Sequence, residues 1–321
     1  MKLLLIILLF TTAVNSSANE YANKKVLHID SYHSGYPWSK GIQQSIKIIL
    51  EPYITDDGLS LHTFEMNTKR NKSEQFKIMM ANKARQLIEK LKPDVVIVSD
   101  DNASKYLVEP FYKNDSLPFV FCGLNWDASI YGYPYKNITG MIEVDLSHTL
   151  IKRMARYAKG NRVGVLSADT LSTRKNVKYQ QSVHKTQYHK IYYASNFEQW
   201  KTTYQRLQTE VDMLLLINHP LEGWDDDLAE QFVLEETRII TGNVIDWMTK
   251  FAVYSITKSA EEQGKWAAKA ALTILKGYSP SSLPIVKNRT GEIYINLKLA
   301  KRLGIEFNSE LLKVVNVIGQ E

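Results

Sequence analysis

Asp100 and Asp101 stand side by side at the end of an apolar run, and two neighbouring carboxylates are the first candidates for chemistry in this 321-residue chain. A general acid and a general base must approach one reacting group from two sides. Adjacent residues point in different directions, however, and aspartate directly after an apolar strand is an ordinary helix cap. The pair therefore reads as a cap with one ligand-facing polar group, and an enzyme using Asp100 and Asp101 is the weakest of the functional readings. His28, His33, His62 and His148 lack the spacing that puts two metal ligands on one helix face. His28 lies in a predicted strand and reads as a core histidine; His219 stands at a strand outlet, where ligand contact and turn formation weigh equally. Gly123 and Gly164 are isolated, so there is no phosphate loop. The single cysteine, Cys122, sits in apolar company, where a thiol is inert. Neither cofactor nor metal is expected.

The aromatic residues carry more information. Tyr32, Trp38, Trp126, Trp224 and Trp247 fall in or beside predicted strand-to-helix loops, whereas Trp200 and Trp266 read as helix-face packing residues. An indole in a loop can pack beneath that loop or close over a flat or cationic ligand. For the group, ligand contact is the favoured reading, with Trp38 and Trp224 on opposite walls. Together with the polar strand outlets they give a ligand-binding set of Ser31, Tyr32, Trp38, Ser99, Asp100, Asn102, Asn125, Trp126, Asp169, Asn218, Trp224 and Asp246.

These residues must be positioned by strands. Val95 to Val98 is β-branched throughout, as suits a strand buried on both faces of a parallel sheet. Phe119 to Cys122 is a second such strand, expected to stop at Gly123. Both release polar and aromatic groups at one edge, and in open α/β sheets the carboxyl edge is where ligands bind. Around this unit the periodicity predicts strands at 25–30, 59–66 and 139–144, a helix opened by Pro37, and a helix to about Leu91 capped by Asn71 with Glu74. A second alternating series follows, with strands at 162–166, 190–194, 213–217 and 238–241 separated by helices. Residues 251–256 read as a strand, and a helix begins at Ser259. The tail from Gly291 reads as a strand, a short helix and a further helix capped by Asn308. Alternation of strand and helix calls for parallel sheets with helices on both faces. Two series imply two lobes, 24–143 plus 251–290 and 144–250 plus 291–321, each directing its loop ends toward the other. The segments expected to bend are Gly123 to Trp126, Gly140 to Val144 and Gly242 to Phe251.

A composition of 44% hydrophobic and 23% charged residues is ordinary for globular proteins and excludes disordered and collagen-like classes. Residues 1–18 have the lysine, apolar run and small-residue cleavage site of a secretory signal peptide. The run is shorter than the roughly 20 residues of a membrane helix. With one cysteine there is no disulfide framework, and none at the cleavage site to carry a lipid. A Gram-negative periplasm is the expected location, which leaves the sequons at Asn71, Asn137 and Asn288 unused. The net charge of +6 is spread along the chain without a nucleic-acid motif, and no nucleic-acid partner is expected.

Seven segments, DSYHSGYPWSKGI, FEMNTKR, VSDDNASKYL, PFVFCGLN, ITGMIEVD, EEQGKWAAKAALTILKG and INLKLAKRLGI, together resemble the ABC-transporter substrate-binding family. The similarity is to a branch also found as sensor domains of histidine kinases and diguanylate cyclases. It spans essentially the whole chain after the leader. The resemblance implies a type I periplasmic-binding-protein fold with three crossovers, which closes two lobes around a small organic ligand and performs no catalysis. The branch's best-understood members bind aromatic amino acids, but the shared segments do not fix the positions that select the ligand; an amino acid or an amine is the class to test first. Delivery to an ABC permease is the expected role. The alternative is a periplasmic sensor, which, because the chain stops at Glu321, would report to a separate membrane kinase or cyclase.

Overall fold

The computed structural model describes residues 20–217 and 221–319. The predicted leader and the predicted outlet residues Asn218 and His219 lie outside the described residues. Thirteen strands follow in chain order: β1 (Lys25–Asp30), β2 (Ser60–Glu65), β3 (Val95–Ser99), β4 (Phe119–Asn125), β5 (Ile138–Glu143), β6 (Val163–Ala168), β7 (Lys190–Ala194), β8 (Met213–Ile217), β9 (Ile240–Asn243), β10 (Tyr254–Lys258), β11 (Val286–Lys287), β12 (Gly291–Asn296) and β13 (Asn316–Ile318). They form a six-stranded sheet in the order β11-β5-β4-β3-β1-β2 and a seven-stranded sheet in the order β13-β12-β10-β9-β8-β6-β7. Both are mainly parallel and flanked by helices, as the alternating sequence pattern requires; β10 and β12 pair antiparallel.

The chain divides into two compact units, 1–141 with 263–286 and 142–262 with 287–321, so it crosses between them three times. In the first unit the central strand β3 is buried throughout, and every residue of the expected apolar run is fully inaccessible. In the second unit β8 is likewise buried throughout, and it shares one buried cluster with Trp200, Tyr204 and Leu207 of the helix Phe197–Glu210. Burial of each large apolar side chain stabilises by about 1.5–3 kcal/mol, which is why these runs do not alternate. Cys122 is buried in β4.

Several boundaries differ from the sequence reading. Strand β4 does not stop at Gly123 but runs through it to Asn125, because glycine accepts the φ of +71° found there. The helix Glu74–Leu91 is capped by Ser73, whose hydroxyl accepts from Phe76 N; Asn71 instead accepts from Ser73 N and Oγ. The strand expected from Phe251 begins at Tyr254, and residues 246–251 form a 3₁₀ helix before it. Strand β10, expected in the first lobe, pairs with β9 and β12 in the second sheet, since the chain leaves that unit only after Glu262. Of the three segments expected to bend, Gly140 to Val144 contains a crossing. The other two lie inside units. Strand β13 was not foreseen; three residues in a helical pattern give no signal of their own.

His28 is a core histidine: it is 1% exposed and its Nε2 lies 3.1 Å from Ser99 Oγ. Burial holds its pKa below the usual histidine value, against the pull of Asp30 and Glu65. A depressed folded-state pKa contributes stability that is complete above the unfolded value and lost as pH falls through the folded one. The stability of the protein is therefore expected to begin falling below about pH 6.5, and His28→Gln should remove that part of the decline. Identical pH profiles of urea midpoints for both proteins would contradict this.

Candidate functional site

In the first unit the site is built on the carboxyl ends of β1, β3 and β4. Asp30, fully buried at the end of β1, is the hub: Oδ1 accepts from Tyr32 N (2.8 Å) and Ser39 Oγ (3.0 Å), and Oδ2 accepts from Gln43 Nε2 (2.8 Å). Ser31 donates to Ser99 O (2.6 Å) and accepts from Ala103 N (2.8 Å), tying β1 to the turn after β3. Ser31 and Ser99 are both fully buried, and their hydroxyls are engaged within the scaffold. Asn102 joins the same network, donating to Thr68 Oγ1 (2.7 Å), which donates to Ser31 O (2.6 Å).

Above this floor lies Asp100. It is 2% exposed, its backbone has φ +65°, and its Oδ1 accepts from Trp38 Nε1 at 3.0 Å. A Cβ on Gly123 would stand 3.0 Å from the same oxygen, so glycine at that place leaves room for the carboxylate. Gly123 N in turn donates to Gln263 Oε1 (2.9 Å). Asp101 points elsewhere, as expected of an adjacent residue: it accepts from Asn125 Nδ2 (2.7 Å) and Tyr131 OH (2.8 Å), clamping the end of β4. Burial, reinforced by Asp101, raises the Tyr131 pKa and keeps the phenol neutral. Trp126 is 8% exposed with φ +61°. Asn67 after β2, Asp100 after β3 and Trp126 after β4 are thus all left-handed. That conformation costs an L-residue roughly 1–2 kcal/mol, and such residues cluster at binding sites. Tyr32 stands edge-on to Tyr36 (5.6 Å), with the Lys69 ammonium 4.4 Å from the Tyr32 ring centre. Burial works against the charge of Glu65, but hydrogen bonds from Ser34 and Gln43 hold its pKa below the usual range.

In the second unit the predicted residues are less concentrated. Asp169, after β6, is paired with Arg174 (2.6 Å), whose hydrogen bond lowers its pKa. Asp246 is exposed at the start of its 3₁₀ helix. Trp224 packs among Phe197, Trp200, Trp247 and Phe251 at ring separations of 5.0–5.7 Å and donates to Asp226 (2.7 Å). It is half-buried. The sequence reading missed a charged cluster at the ends of β5 and β10. Lys258 is ion-paired with Glu143; burial opposes its charge, but Glu143, Asp145 and Asp246 raise its pKa. Asp145 accepts from Gln180 Nε2 (2.5 Å) and Ser147 N (3.1 Å), and His184 Nε2 lies 3.6 Å from Oδ1. The IEVD run at 142–145 was the available signal, with its acids at alternate positions. Among the described residues no group of three His, Cys, Asp or Glu could hold a metal ion, and no helix is long and apolar enough to cross a membrane.

Residues 236–317 match the family described as ABC transporter substrate binding protein. No curated protein sequence matches the chain. Among solved structures, the fold is similar to a ligand-free, open substrate binding protein with adhesive properties from Clostridium difficile, with a TM-score of 0.69 and 16% identity over 93% of this chain and 100% of that one. It is also similar to the ABC domain in complex with L-Trp from Streptococcus pneumonia, with a TM-score of 0.55 and 18% identity over 93% and 100%. The periplasmic ribose ABC transporter from Conexibacter woesei gives a TM-score of 0.52 and 13% identity over 92% and 98%. The chain therefore has the type I fold of the periplasmic, ABC-transporter substrate-binding proteins, with that family's sequence pattern in its C-terminal part.

Proposed function

We propose that this protein binds a small organic ligand, an amino acid or amine, at the carboxyl edge of its sheets outside the cytoplasm and delivers it to an ABC permease. The observation that carries this reading is the left-handed Asp100 held under Trp38 beside Gly123, a strained and built arrangement at the strand edge. The Asp100 carboxylate next to Trp38 suits an ammonium group on an apolar or flat body. The similar Streptococcus structure that holds L-Trp supports the same class. Binding without turnover is supported by Asp101, whose oxygens are already engaged by Asn125 and Tyr131 and are not poised as an acid or base.

A thermal-shift screen of amino acids, amines and nucleosides tests the reading. A ligand at a hundred times its dissociation constant should stabilise the protein by about 2.7 kcal/mol. Asp100→Ala should then weaken the hit by about 1–3 kcal/mol, roughly 5- to 150-fold. Asp100→Asn tolerates the left-handed backbone and keeps an oxygen for Trp38, so its loss isolates the charge. Unchanged calorimetric affinity in both variants would remove Asp100 from the site. Genes for a permease and an ATPase beside this one are the expected companions; a kinase or cyclase gene in their place would replace delivery by sensing.

A further inference from the structure

A second cleft lies at the opposite, amino-terminal edge of the second sheet, where β6, β8 and β9 begin. Its volume is about 270 Å³, just below the roughly 300–1,000 Å³ of drug-sized ligand pockets. Part of the wall is apolar, with Val211 and Ile240 buried and Leu303 and Ile305 half-buried. The rim is cationic: Lys159, Arg162 and Arg238 border it against one acid, Asp212. That acid is already satisfied. It accepts from Arg162 N (2.8 Å), Nε (3.1 Å) and Nη2 (3.0 Å), and the Arg162 hydrogen bonds hold its pKa low. The pair has a made place, since a Cβ on Gly160 would come within 2.5 Å of Asp212 Oδ2. Arg238 has only a distant partner, Glu236 at 3.7 Å, and Lys159 has no ion pair among the described residues. Gln208, 6% exposed, also borders the cleft. Its Oε1 accepts from Arg238 N (2.9 Å) and Ile239 N (3.2 Å), which fixes the amide. Nε2 is left as a buried donor with no partner among the described residues, an arrangement that is costly unless something accepts from it.

We propose that this cleft is a binding site for a small organic monoanion, an apolar body bearing one carboxylate. The body fills the space between Ile240 and Leu303, and the carboxylate accepts from Arg238 and from the Gln208 amide. The site is separate from the carboxyl-edge site and stands or falls without it.

Calorimetric titration with phenylacetate, its neutral isostere phenylacetamide, and inorganic phosphate tests the proposal. Phenylacetate should bind at one site, with the other two probes at least tenfold weaker, about 1.4 kcal/mol. Arg238→Gln should weaken phenylacetate by about tenfold, and Leu303→Trp, which fills the cleft, should abolish binding. Both variants should keep the wild-type thermal-shift response to the carboxyl-edge ligand. Absence of phenylacetate binding to the wild-type protein, equal binding of the neutral isostere, or wild-type affinity in both variants would each overturn the site.

Discussion

Asp145→Asn is expected to cost about 3 kcal/mol of folding stability at neutral pH. The carboxylate is 8% exposed and accepts from Gln180 Nε2 and Ser147 N, with His184 close by. Burial alone would raise its pKa; the hydrogen bonds from His184, Gln180 and Ser147 outweigh burial and hold it below the usual carboxylate range. Asparagine keeps the shape but turns one acceptor into a donor that faces donors. The pH dependence gives a second signature. Because the folded-state pKa is depressed, the contribution is complete above the unfolded value of about 3.9 and lost as pH falls through the folded one. The difference between wild type and variant in urea denaturation should therefore be full at pH 7 and shrink below about pH 4. A gap that stays constant down to pH 3, or no gap at all, would show that the hydrogen-bonded charge is not what stabilises this corner.

How much of this was legible in the sequence follows from the range of the interactions. Buried strands announce themselves locally, so β3 and β8 were readable from apolar runs and His28 from its strand position. The outlets were readable too, because a strand end is a chain property: Trp38, Asp100 and Asn125 do fall at one edge. What each outlet side chain touches was not, because its partner lies far along the chain. Ser31 and Ser99, read as ligand contacts, are joined by a hydrogen bond across 68 residues. Trp224, read as a wall of the site, packs in an aromatic cluster whose members come from three elements. Glu143 and Lys258 are 115 residues apart, and no local pattern joins them. Asn137 and Asn288 matched a glycosylation motif, yet both are 4% exposed and hydrogen-bonded to backbone groups.

The close approach at Gly264 shows how such a long-range contact reaches the site. The helix Ala260–Leu275 crosses the helix Pro37–Leu50 so closely that a Cβ at position 264 would stand 2.4 Å from Ile42 O and 2.9 Å from Ser45 Cβ. Two effects compete in Gly264→Ala. Replacing a helix-interior glycine should stabilise by about 1 kcal/mol through backbone entropy and helix propensity. Against this, the clash is with a backbone carbonyl, which no rotamer change can relieve, and overpacking a tight contact costs about 1–3 kcal/mol. The clash should prevail in Gly264→Ala by a small margin and in Gly264→Val by about 3 kcal/mol, since valine adds bulk and loses rotamer freedom. The neighbouring Gln263 supplies the acceptor for Gly123 N, and Gly123 borders Asp100. Moving the helix should therefore also loosen the Asp100 carboxylate from Trp38 and lower ligand affinity in protein that remains folded. Urea midpoints for both variants measure the first effect, and calorimetry on Gly264→Ala measures the second. An alanine variant as stable as the wild type or more so would mean that the helices can separate freely at this point, and that the crossing does not set the position of the site floor.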